Sequence, residues 1–371
     1  MVILGWGVSL AHAQFTYTAT NLGTLSGGSD STAYAVNASG QVVGRSSLSG
    51  GVTHAFLYSG GTMTDLGTLG GIFGQSWANG KNGSGQVVGY THTTYNSGNA
   101  FLYSGGAMTD LGSLGSDSVA FGINDSGSVV GQSALTGNTA ARPFLYSSGS
   151  MTDLGTLGGN FAGANAINAS GQVVGWSATS SGGSHAFLYS GGSMTDLGTL
   201  SGGTSSATAI NASGQIVGYA STTGLDSHAF LYSGGSMIDL GTLGGSGSTA
   251  NAIDASGQIV GDAYTTSGAE RPFLYSGGSM SDLNSITDLS GTNFSYLSSA
   301  RGISDTGYIV GWGVTTGGQT NAYLLSPTGS SPPLSAVPEP STYAAIFAGA
   351  LLGLAGWRWQ QRRGVNSAQA G

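Results

Sequence analysis

The chain has 371 residues, of which only 6% are charged and none is cysteine, so disulfide stapling and thiolate chemistry are both excluded. Between Gln14 and Pro327 there are five basic and fifteen acidic residues, a formal charge of −10, which excludes the basic patch that phosphate binding needs and with it nucleic acid as a partner. Gly, Ser, Thr and Asn fill the places that charged side chains, about 25% of an ordinary soluble domain, would take, which predicts a neutral, hydroxyl-rich surface.

In chain order, the first element is the apolar run Val2 to Ala11 followed by Ala11-His12-Ala13. The small-x-small triplet is the pattern of a signal-peptidase site, so residues 1–13 read as a signal peptide with Gln14 as the new first residue. Thr16 to Gly23 then reads as a lone strand ending in Asn21-Leu22-Gly23. That ending recurs as Asp-Leu-Gly from Asp65, Asp110, Asp153, Asp196 and Asp239, and as Asp282-Leu283-Asn284, with leucines spaced by 44, 45 and then four times 43 residues. A second phrase, near Ser-Gly-Gln-Val-Val-Gly, begins at Ser39, Ser84, Ser126, Ser170, Ser213, Ser256 and Thr306.

The most regular copy spans Asn160 to Gly202. Its stretches Ala164 to Asn168, Gln172 to Ser177, His185 to Tyr189 and Ser193 to Leu197 are short, β-prone and separated by Gly/Ser/Asn turns, the pattern of an antiparallel meander. No helical stripe interrupts the repeats. Adjacent apolar residues such as Val173 and Val174 suit a sheet covered on both faces. A four-stranded unit of roughly 40 to 50 residues is the length of a propeller blade, with a β-solenoid or a pair of smaller sheets as the alternatives. The two ends favour a ring: Thr16 to Gly23 is a fourth strand without its first three, and Ala300 to Ser304, Tyr308 to Trp312 and Asn321 to Leu325 are three strands without a fourth. The expected fold is therefore all-β, a seven-bladed β-propeller of four-stranded antiparallel blades over residues 14–326, closed by the N-terminal strand.

Within the repeats, Asn37, Asn124, Asn168, Asn211 and Asp254 precede turns that their side chains can cap, and the second copy, Asn79-Gly80-Lys81-Asn82-Gly83, is expected to be irregular there. Phe56, Phe101, Phe144, Phe187, Phe230 and Phe273 are expected in the core between blades. His54, His185 and His228 share one position, as do the six Asp-Leu-Gly aspartates; both sets read as scaffold more readily than as a metal site or a catalytic carboxylate pair. Recognition is better sought where copies differ. The residues after each Val-Gly or Ile-Gly pair are Arg45, Tyr90, Gln132, Trp176, Tyr219, Asp262 and Trp312. Tyr90, Trp176, Tyr219 and Trp312 could stack on sugar rings with Arg45 and Asp262 as polar partners, or all could pack against neighbouring blades.

After Ser326 the composition shifts to a Pro/Ser linker, 327–341, holding Pro338-Glu339-Pro340. Residues 342–363 follow as an apolar run from Tyr343 to Trp357 and the cations Arg358, Arg362 and Arg363, with a terminal extension over 364–371. This predicts a C-terminal transmembrane helix whose arginines stay cytoplasmic, placing the propeller across the membrane.

The tail resembles the PEP-CTERM sorting signal of Gram-negative bacteria, which implies export by signal peptidase, passage through the inner membrane with transient or permanent anchoring, and processing by exosortase near Pro338, Glu339 and Pro340. Delivery would be to the cell surface or extracellular matrix. His54-Ala55-Phe56, His185-Ala186-Phe187 and His228-Ala229-Phe230 make the repeats resemble the HAF family of extracellular repeats, with departures at Asn99-Ala100-Phe101, Arg142-Pro143-Phe144, Arg271-Pro272-Phe273 and Asn321-Ala322-Tyr323. That resemblance implies an exported repeat protein without assigning an activity. No cofactor or metal is expected. The favoured reading is non-catalytic binding of an exopolysaccharide or a surface protein; the alternatives are a structural coat or spacer without a selective ligand, and an enzyme that degrades matrix polysaccharide.

Overall fold

Every repeat builds the same meander because its composition leaves few other choices: β-branched and aromatic residues in runs of four to ten, cut by turn glycines. A computed structural model describes residues 17–70, 74–92, 97–137, 140–224 and 226–328, all within one compact unit, 1–328. In the copy that begins it, Ser31–Val36, Val42–Ser47, Thr53–Ser59 and Thr62–Asp65 pair antiparallel in order. Between the third and fourth strands Gly60 and Gly61 take φ of 57° and 85°, the two left-handed residues that a two-residue hairpin turn requires.

The strands assemble into six hydrogen-bonded sheets: four of four strands, one of eight and one of five. The expectation of seven separate four-stranded blades is therefore corrected. Five sheets carry the internal repeats, and the sixth, five-stranded, is built from the two ends of the chain. In it Tyr17–Asn21 lies between Thr320–Pro327, antiparallel, and the short strand Thr287–Asp288, parallel. The expected transmembrane helix is corrected as well: no helix among the described residues is long and apolar enough to cross a membrane. The segment 342–363 on which it was expected, the 1–13 signal peptide and Pro338, Glu339 and Pro340 lie outside the described residues. The described repeats do contain one helical turn, Leu283–Ile286, where Asp282 accepts from the Asn284 amide at 2.8 Å.

The junctions between meanders are of two chemical kinds. At five junctions between successive meanders, a buried serine opening one meander accepts from a third-strand amide of the meander before it: Ala55 to Ser76, Ala100 to Ser118, Ala186 to Ser205, Ala229 to Ser248 and Ala322 to Ser31, all at 2.8 to 2.9 Å. The same serines donate to the Leu-Gly carbonyls, as Ser205 does to Gly198. The other two junctions have Pro143 and Pro272 at the amide position, and proline has no N–H to give. There the serine is gone. Ala162 stands in the serine's place, paired with Ser177 as Ser205 is with Ala220, and the junction is bridged by the parallel pair Ala141–Phe161 and by Arg142 donating to the Asn160 carbonyl at 2.8 Å. At the Pro272 junction the side-chain amide of Asn284 donates to the Leu297 carbonyl and accepts from the Leu297 N–H.

First strands of successive meanders pack on one another in a closed cycle, the arrangement of a β-propeller. Apolar layers fill the spaces between sheets; one joins Val43, Ala55 and Leu66 to Ala78, Val87 and Phe101 of the next copy. All six repeat phenylalanines, and Tyr323 in the last copy, are fully buried. Burial of each such ring contributes about 1.5–3 kcal/mol. The second-strand glycine is obligatory, because a Cβ at Gly44 would run into the Thr32 carbonyl. At the turns, side-chain amides form a belt: Asn82 donates to the Asn124 carbonyl, Asn124 to Asn168, Asn168 to Asn211 and Asn211 to Asp254, at 3.0 to 3.2 Å. The second copy is thus regular at its turn, with Asn82 in the capping role.

Candidate functional site: a central cavity ringed by bulge residues

Each first strand carries a β-bulge directly after a fully buried alanine, between Ala33 and Ala35 in the first meander and between Ala250 and Ala252 in the sixth. A bulge leaves one residue out of the ladder and re-aims its side chain. The residues so displaced are Tyr34, Asn79, Phe121, Asn165, Thr208, Asn251 and Arg301, and all seven line a central cavity of about 600 Å³. This volume lies within the range of about 300–1,000 Å³ usual for ligand pockets.

The ring divides into two arcs. Asn165 donates to the Ala207 carbonyl at 2.7 Å, Thr208 to Ala250 at 2.7 Å and Asn251 to Ala300 at 2.8 Å. Each stitches its sheet to the next, and Asn79 does the same to Ala120 at 2.9 Å. Arg301, Tyr34 and Phe121 do not make this bond. In the cycle of packed first strands they come from the last, first and third meanders, with Asn79 and Lys81 of the second meander between Tyr34 and Phe121. Lys81 lines the cavity where Val36, Ile123, Ile167 and Ile303 line it elsewhere. Its ammonium donates to the Asn82 carbonyl at 3.1 Å; burial lowers its pKa, opposed by the charge of Asp125.

Arg301 is held at the cavity wall by partners behind it. Its guanidinium lies 4.7 Å from the Trp312 ring centroid and 3.7 Å from the Asp262 carboxylate. Asp262 is buried; burial raises its pKa, while Arg301 and bonds from Ser299, the Ala300 amide and Asn251 lower it. Beneath them the Tyr323 hydroxyl donates to the Ser299 carbonyl at 2.7 Å, and burial holds that phenol well above its ordinary pKa.

The residues read from sequence as a recognition face occupy equivalent second-strand positions, each paired across the ladder with a first-strand residue, as Arg45 is with Thr32 and Trp312 with Ser299. None of them lines the central cavity. Arg45 donates to Thr32 at 3.2 Å. Tyr90 stacks on Trp77 at 5.2 Å and meets His92 edge-on at 5.3 Å; its pKa is raised by burial and by Asp117. Gln132 and Trp176 approach the same spot above Gly163, Tyr219 is 37% exposed, and Asp262 and Trp312 meet only through Arg301. The set is spread around the ring and engaged in packing, with Tyr219 its most open member.

The repeated histidines and aspartates pair within their own meanders: the Nδ1 atoms of His54, His185 and His228 lie 2.8 Å from Asp65, Asp196 and Asp239. Asn99 and Arg142 take the same place on Asp110 and Asp153. These aspartates also accept from an amide two residues on, as Asp196 does from Gly198 at 2.8 Å. They are cross-strand fasteners. No group of three His, Cys, Asp or Glu residues able to hold a metal ion occurs among the described residues.

Residues 336–363 match the PEP-CTERM protein-sorting motif, which implies export, surface sorting of the Gram-negative type and processing by an exosortase system. No curated protein matches the chain. Among solved structures, TolB from Acinetobacter baumannii is 12% identical, with a TM-score of 0.43 over 80% of this chain and 64% of that one. A puromycin-hydrolyzing peptidase from Mycobacterium tuberculosis is 13% identical with a TM-score of 0.48, over 78% of this chain and 53% of its own. A fungal lectin from Aleuria aurantia, described as a six-bladed β-propeller, is 16% identical with a TM-score of 0.39, over 86% and 99%. The chain thus spans less than two thirds of the first two.

Proposed function

We propose that this protein is a non-catalytic, surface-sorted binding module for carbohydrate, with HAF-type repeats as its scaffold and the central cavity as its site. The observation that carries this reading is the open arc. In a chain whose scaffold positions repeat almost unchanged, Tyr34, Phe121 and Arg301 give up a hydrogen bond between sheets and present two aromatic faces and a guanidinium to a cavity of about 600 Å³. Aromatic rings offer the apolar faces, and amides and hydroxyls the fixed polar groups, that a sugar ring with one C–H face and a polar rim requires.

The test is a glycan array probed with the secreted protein and with a Tyr34→Ala/Phe121→Ala variant of unchanged melting temperature. The expected result is a bound glycan class for the wild type that the variant loses. Retention by the variant would move the site elsewhere, and a wild type that binds no glycan would favour the coat or spacer reading.

A further inference from the structure

Five basic residues serve the whole segment from Gln14 to Pro327, against fifteen acidic ones, and two of the five, Lys81 and Arg301, line the central cavity. No carboxylate lines it among the described residues. The two cations flank Tyr34, since the first meander lies between the last and the second in the packed cycle. Each has a carboxylate near it outside the cavity lining, Asp125 acting on Lys81 and Asp262 on Arg301, yet keeps donors to offer. Lys81 spends one proton on the Asn82 carbonyl, leaving two donors. Arg301 has Asp262 at 3.7 Å and Asn251 at 3.4 Å, and its buried Nε–H has no partner. Asp262 offsets part of the Arg301 charge but is itself 8% exposed and saturated by Ser299, the Ala300 amide and Asn251.

We propose that the glycan bound in the central cavity is acidic, a carboxylate-bearing sugar whose anion sits between Lys81 and Arg301 while its ring lies against Tyr34. This rests on the carbohydrate reading above and narrows it to one chemical class. The protein's negative charge disfavours an anion everywhere except at such a local cluster, so the cations confer selectivity inside a surface that otherwise repels the ligand. Burial already holds the Lys81 ammonium below its ordinary pKa, and an anion beside it would reverse that shift.

Calorimetric titration of the full exported chain with a tetramer of a uronic acid, and with the same tetramer after carboxyl reduction, tests the proposal. The acidic tetramer is expected to bind about tenfold or more tighter than the neutral one, to weaken with added salt, and to lose about tenfold in Lys81→Gln. If Arg301→Gln fails to fold, Arg301→Lys keeps a charge there and Lys81→Gln decides. Equal binding of both tetramers, or Lys81→Gln without effect, would overturn the acidic assignment while leaving carbohydrate binding standing. Binding of neither tetramer, repeated across a panel of neutral glycans, would overturn both.

Discussion

Two arcs of one cavity start from the same bulge and use it differently. On the arc of Asn165, Thr208 and Asn251 the displaced side chain returns to the scaffold, reaching the next sheet's carbonyl at 2.7 to 2.8 Å. On the other arc Arg301, Tyr34 and Phe121 do not, although Asn79 between the last two does, and the junctions there share the buried serine bonds and phenylalanine layers found elsewhere in the ring. The bulge position thus changes its role while the apolar layers beneath it stay constant. Near-identical repeats make that substitution visible.

The comparison can be broken most forcefully in the core, which serves both arcs. Phe187→Ala should cost about 3–5 kcal/mol in chemical denaturation, since the ring is fully buried and its cavity would be walled by two meanders. A smaller loss, about 1–3 kcal/mol, is expected for Ser205→Ala, which leaves the buried Ala186 amide without an acceptor. The converse change, Ala162→Ser, should not stabilise, because Pro143 offers its hydroxyl no N–H; a gain in that variant would undo the account of the two kinds of junction.

A finer contrast comes from the turn belt. Asp254 stands where four other copies carry a donating asparagine, so the belt stops at its side chain. Burial raises its carboxyl pKa, against lowering bonds from Ser256 and Gln258 and with a further push from Asp305. The native state therefore holds the proton more tightly than the unfolded chain, and stability falls as pH rises from the ordinary carboxylate value through the raised one. Asp254→Asn should remove that fall and add about 0.5–1.5 kcal/mol at neutral pH by restoring a donor. Denaturation midpoints of the two proteins from pH 3 to 8 would check both the slope and its sign.

Much of the scaffold is legible in the sequence because it depends on short-range chemistry. Turn glycines, β-branched runs and the phase of the Leu-Gly phrase mark the strands, and they place Tyr17–Asn21 beside Thr320–Pro327, as the pairing of Asn21 with Tyr323 shows. The sheet count was not legible in the same way. It turns on the parallel pair of Ala141 with Phe161, a contact across a junction that no local pattern marks. The bulge ring was not legible for a related reason. A bulge has no period-2 signature, whereas the variable second-strand residues such as Trp176 and Trp312 stand out beside a constant Val-Gly pair. The signal lay one strand earlier, in the variable residue between small constant ones: Ala33-Tyr34-Ala35, Ala120-Phe121-Gly122, Ala300-Arg301-Gly302.

The division of labour between the arcs is tested most directly by measuring glycan affinity and unfolding free energy on two double variants, Tyr34→Ala/Phe121→Ala and Asn165→Ala/Thr208→Ala. The first pair should lose binding with stability changed by less than about 1 kcal/mol, and the second should lose about 2 kcal/mol of stability while its folded fraction still binds. Binding lost from the second pair and kept by the first would contradict the assignment of recognition to the open arc.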